Sequence, residues 1–171
     1  MAPSAETSGM ATPQPLAIAL GNGRYRGHAF GWIYLLGIGA INLFRGSIHL
    51  LKADGGAASI AGIDLTSNGA VILTLFATMG LGQLLMAGID FAVALRFRAL
   101  APVVVGYHLV HQLGVALILW WWRPLPVEAP GKFGALAMLP VVLLAFLAAI
   151  RRRGGAGSKT AIATAAGSTS A

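Results

Sequence analysis

Four stretches of almost unbroken apolar residues dominate the chain, at about residues 30–51, 69–95, 100–122 and 133–150. Each is close to the ~20 residues that a helix rising 1.5 Å per residue needs to cross ~30 Å of hydrocarbon. The runs are too continuous for the alternating pattern of a membrane barrel, which leaves helices as the spanning form. The expected fold class is therefore all-α: a polytopic membrane protein built as a four-transmembrane-helix bundle. Polar punctuation separates the spans. A loop over residues 52–68 contains Gly55-Gly56, a tight turn is made by Arg96-Phe97-Arg98, and a Pro-rich connection fills residues 123–131. The first loop is less polar than most, through Ala57, Ala58, Ile60, Ala61 and Ile63. It suits a short interfacial helix, a cover over the bundle mouth or an ordinary solvated loop, and the sequence leaves these open.

The pattern divides the chain into a flexible tail over residues 1–28, a transmembrane domain over 29–150 and a flexible tail of basic and small residues over 151–171. In the first tail the only apolar stretch, residues 15–20, is shorter than the apolar region of an export signal. The first span is thus expected to act as an uncleaved signal-anchor.

Composition sharpens this picture. Charged residues make up 10% of the chain, against about 25% in an ordinary soluble domain. The net charge of +7 does not imply nucleic acid, because the basic residues lie just outside the apolar runs. Arg24, Arg26, Arg96, Arg98, Arg151, Arg152, Arg153 and Lys159 fall on one side, and only Lys52, Arg123 and Lys132 on the other. That imbalance predicts a multi-pass topology with both termini in the cytoplasm. Trp120-Trp121-Trp122 is then expected at the outer interface, with Trp32 and Tyr34 near the inner one. The arginines at 151–153 read as a stop-transfer anchor, with anionic-lipid contact as an added role. Cysteine is absent, which removes disulfides, thiolate metal sites and thiol redox chemistry.

The scarce polar residues inside the spans carry the candidate chemistry. On the first span Gly39, Asn42, Gly46 and His49 follow helical spacing, with Arg45 beside them. Gly80, Gln83, Ala87 and Asp90 form a stripe on the second, and His108, His111 and Gln112 group on the third. From the rise per residue, Asp90 and His108 lie about 8–12 Å from the cytoplasmic end. Asn42, Gln83, His111 and Gln112 fall at about 15–19 Å, and Arg45 and His49 at about 22 and 28 Å. An Asp90–His108 pair is expected, with an amide and imidazole cluster above it. The fourth span has no ionisable residue between Gly134 and Ile150 and is expected to face lipid more than the others. Interhelical hydrogen bonds and a snorkelling Arg45 account for the whole pattern. A polar pocket formed by Asn42, Arg45, His49, Gln83, Asp90, His108, His111 and Gln112 for a substrate, proton or quinone head group is the functional alternative. His108, His111 and Asp90 are the candidate metal ligands. A bis-histidine haem is disfavoured, because His49 lies about 13 Å above His111.

No Gly-rich phosphate loop, nucleophile elbow or zinc-protease helix is present, and no catalytic residue is assigned. The four short spans, Arg45-Gly46 near the outer end of the first and the Asp54-Gly55-Gly56 loop resemble the DoxX-like small bacterial membrane proteins over about residues 30–150. The founding type of that family is a membrane subunit associated with a quinone-linked sulfur oxidoreductase, so the resemblance implies an accessory role near redox chemistry. The cysteines of some relatives are missing here, which weakens a redox-active version. The leading expectation is a small protein of the bacterial inner membrane, a structural or accessory subunit of a larger membrane complex, with an enzymatic role less expected but left open. Its partners would be the lipid bilayer and other membrane subunits or further copies of itself, with no cofactor. The alternatives are a carrier or channel using the polar stripe, and a redox subunit binding quinone, metal or haem.

Overall fold

The computed structural model describes Tyr25 and residues 27–151. Among these residues the chain is all-helical, with α1 at Ala29–Leu51, α2 at Gly69–Leu95, α3 at Ala101–Leu117 and α4 at Pro130–Ile150. A single 3₁₀ turn, Arg98–Leu100, leads into α3, and a five-residue π-helical turn, Ile118–Trp122, extends it. The four helical segments are long and apolar enough to cross a membrane. α4 starts three residues before the apolar run does. Pro130 suits that first helical position, where its missing N–H would have no intrahelical partner.

α1 packs most extensively on α2, and α3 on α4, with α4 also against α1; α2 barely touches α3. The α1–α2 contact depends on two glycines. A Cβ on Gly46 would sit 2.8 Å from the Gly80 carbonyl oxygen, and one on Gly80 would sit 2.9 Å from the Gly46 oxygen. The two backbones therefore touch, as small residues permit where van der Waals packing drives helix association. The interior is correspondingly made of small side chains, including Ala87, Ala94, Ala101, Ala135, Ala145 and Ala149, while Phe44, Leu51, Val103, Val110, Trp121 and Trp122 point outward. That distribution suits hydrocarbon surroundings.

α4 differs from its expected place. It buries Ala135, Val142, Ala145 and Ala149 between its neighbours, and Met138 packs against the same core. These positions repeat at alternating spacings of seven-residue type, a seam that meets other helices without any polar group. Lack of ionisable residues had suggested lipid exposure, but close packing needs small residues rather than polar ones.

One end of the bundle gathers the start of α1, the turn after α2 and the end of α4. The Arg98 guanidinium lies 4.1 Å over the Trp32 ring, and the His28 N–H donates to the Ala148 carbonyl at 2.9 Å. Tyr25 reinforces this through its hydroxyl, which donates to the His28 carbonyl. Tyr25, Gly27 and His28, which belong to the expected first tail, thus dock on α4. The remaining tail residues, with Arg24, Arg26, Arg152, Arg153 and Lys159, lie outside the described residues.

The opposite end carries the loop between α1 and α2, and that loop folds back over the helices. Ala57 is fully buried, while Gly55 and Gly56 turn the chain at φ of +56° and +78°, which residues with a Cβ rarely adopt. Asp54 ties the turn by accepting from the Gly56 and Ser59 amides at 3.0 and 2.8 Å. Hydrogen bonds from Ser59, then from the Gly56 amide, hold the Asp54 carboxyl well below the usual carboxylate range. At the same end Trp120 Nε1–H donates to the Lys132 carbonyl, joining the π-helical turn to the start of α4.

Candidate functional site: a buried carboxylate and imidazole between three helices

Helical spacing places Asn42 on the inner face of α1, Asp90 near the end of α2 and His108 in the second turn of α3. The structure brings the three together. His108 Nε2 is 2.7 Å from Asp90 Oδ1, and Asn42 Nδ2 donates to Asp90 Oδ2 at 3.4 Å. Asp90 is 0% exposed and His108 7%. Since Asn42 can only donate through that nitrogen, Oδ2 is an acceptor and the shared proton lies between Oδ1 and Nε2. An isolated carboxylate in such surroundings is costly, and pairing offsets that cost.

Two tyrosines complete the surroundings. Tyr34 meets the His108 ring edge-on at 6.1 Å between centroids, and Tyr107 does so at 6.0 Å. Tyr34 is buried in the core. The signal for it was present in the sequence: Tyr34, Ile38 and Asn42 recur at four-residue spacing and share one helical face.

The other candidates go elsewhere. His111 is exposed on α3 and stacks with Tyr107 at 6.2 Å. Gln112 donates to the Ala135 carbonyl of α4 at 2.8 Å. Arg45 is exposed, and its guanidinium reaches Gly131 in the first turn of α4. His49 Nδ1 donates to the Gly55 carbonyl at 2.6 Å, fixing the loop to α1. His49 Nε2 and Gln83 Oε1 are buried without a hydrogen-bond partner among the described residues. The amide and imidazole groups expected above the Asp90–His108 pair are thus represented by Asn42 alone.

Among the described residues no group of three His, Asp or Glu side chains is arranged to hold a metal ion. His108 and Asp90 face each other, while His111 turns toward Tyr107, so the three candidate ligands do not converge. The arrangement can lock three helices in register. No family model, curated protein or solved structure matches the chain.

Proposed function

We propose that the protein is a multi-pass component of the bacterial inner membrane, with both termini in the cytoplasm, acting as a structural or accessory subunit of a larger membrane assembly. One observation carries this reading: the polar groups that come together in the spans use their hydrogen bonds within the bundle. Asn42, Asp90 and His108 join α1, α2 and α3, and Gln112 joins α3 to α4. Side chains engaged in this way hold a scaffold together. α2 also leaves a long face uncovered, including Thr74, Thr78, Leu81, Leu85 and Ile89, as a subunit needing neighbours would. The resemblance to DoxX-like proteins supports the same conclusion through Arg45-Gly46 and Asp54-Gly55-Gly56, where Gly46 permits helix contact and the loop glycines permit the fold-back. Purification of the tagged full chain in mild detergent tests the proposal. Stoichiometric membrane companions or a defined oligomer are expected, and a solitary monomer overturns it.

A second reading, proton carriage, is favoured by the complete burial of Asp90 against an imidazole. It predicts that Asp90→Asn abolishes proton flux into vesicles containing the protein at unchanged protein abundance. Equal flux in the variant rules that reading out.

A further inference from the structure

The charge at the two ends of the bundle is balanced differently. At the loop end the chain neutralises its own lysines: Lys52 lies 3.6 Å from Asp54, and Lys132 lies 3.1 Å from Glu128. The other end holds Arg96, Arg98 and Arg151, all exposed, and no acidic side chain of the described residues accompanies them. Asp54, Asp64 and Glu128 belong to the loop end, and Asp90 is buried and bonded. The described bundle itself offers these arginines no counter-charge.

Arg98 is prepared to receive it. One face of its guanidinium rests on Trp32, and its Nε–H donates to the Ala94 carbonyl at 2.9 Å. Those contacts fix the plane of the group and leave both Nη atoms without a partner among the described residues. A planar fork held in this way matches a phosphate diester bidentately. Arg96, two residues earlier, adds a second cation. Exposed apolar side chains close by in the chain, Leu95 at 66% and Val103 at 70%, favour a phosphate that is attached to acyl chains. A ligand that satisfies both features carries acyl chains below its anionic head. A free phosphate or nucleotide would leave that apolar surface bare.

The geometry points to a binding site for an anionic phospholipid at this end, with the headgroup phosphate on Arg98 and Arg96 beside Trp32 and the chains along Leu95 and Val103. The inference rests on the membrane reading given above. It is tested with the full chain purified in neutral detergent and offered phosphatidylglycerol or phosphatidylcholine of identical chains, with bound lipid counted by native mass spectrometry. Preferential retention of phosphatidylglycerol is expected. Arg98→Gln should weaken it about fivefold, the worth of one basic side chain at an anionic surface, and Arg123→Gln at the opposite end should leave it unchanged. Arg98→Lys, which keeps the charge and loses the fork, should fall between them. If Arg98→Gln does not fold, as judged by circular dichroism, Arg96→Gln is read in its place with the same expected direction. Glycerol phosphate should not compete. Equal retention of the two lipids, indifference to the arginine substitution or full competition by glycerol phosphate overturns the inference. Failure of the membrane reading itself looks different: the chain would then leave membranes in alkaline carbonate.

Discussion

Asp90 is the residue whose environment constrains it most. A carboxyl group with no exposed surface keeps its place because His108 and Asn42 satisfy its two oxygens. If the pair fastens the helices, Asp90→Ala and His108→Ala should not be additive. A double-mutant cycle on unfolding in detergent should give a coupling of about 0.6–1.7 kcal/mol, the range of interhelical hydrogen bonds in membranes. Additivity would show that the two side chains do not support each other. His111→Ala should change stability by less than about 0.5 kcal/mol, as surface substitutions generally do, because His111 is exposed and only stacks with Tyr107. The Asp90–His108 pairing was legible in the sequence because both residues ride on regular helices, where depth follows from counting. The rotation of each helix about its axis was not. Three residues along a helix turn a side chain by about 60° from its neighbour, enough to send His111 outward while His108 faces inward.

Between elements, the contact of α1 with α2 makes the sharpest demand on sequence. Gly80→Leu should destabilise the bundle by at least about 1–3 kcal/mol, the usual penalty of overpacking, because the Gly46 carbonyl and the His49 Cβ occupy the space its side chain needs. Gly82→Leu, two residues away with nothing within 4 Å, should be neutral within about 0.5 kcal/mol. Thermal unfolding of the two variants side by side checks this. The α1–α2 loop has its own dependence on pH. The folded Asp54 carboxyl titrates below its ordinary value of about 3.9, since the turn favours the carboxylate. Its contribution is therefore complete above that ordinary value and is lost as pH falls through the lower folded one. Amide-exchange protection at Gly56 and Ser59, corrected for intrinsic rates, should be steady from neutrality to about pH 4 and decline below it; Asp54→Ala should remove the decline. Helix extents could be read from apolar runs alone, because each run is nearly unbroken and bounded by charged residues, Gly or Pro. The fold-back of the loop and the packing of α4 could not, since both depend on small residues, which the polar and apolar pattern treats as featureless.

At the scale of the whole molecule, the bundle places small and paired polar groups inside and large apolar ones outside. The beginning of α1, the turn at Arg96–Arg98 and the end of α4 lie at one end, which is also where the sequence concentrates unbalanced arginines. An even number of antiparallel helices makes this unavoidable, so same-side ends follow from the fold and only the identity of the side depends on charge. The absence of cysteine makes the orientation directly measurable. Single substitutions Ser59→Cys in the first loop, Ala99→Cys in the turn after α2 and Ser158→Cys in the C-terminal tail can be probed in intact bacterial spheroplasts with a membrane-impermeant maleimide. The account predicts that Ser59→Cys labels from outside, whereas Ala99→Cys and Ser158→Cys label only after the membrane is opened. Labelling of all three from one side, or of Ser158→Cys together with Ser59→Cys, would contradict it.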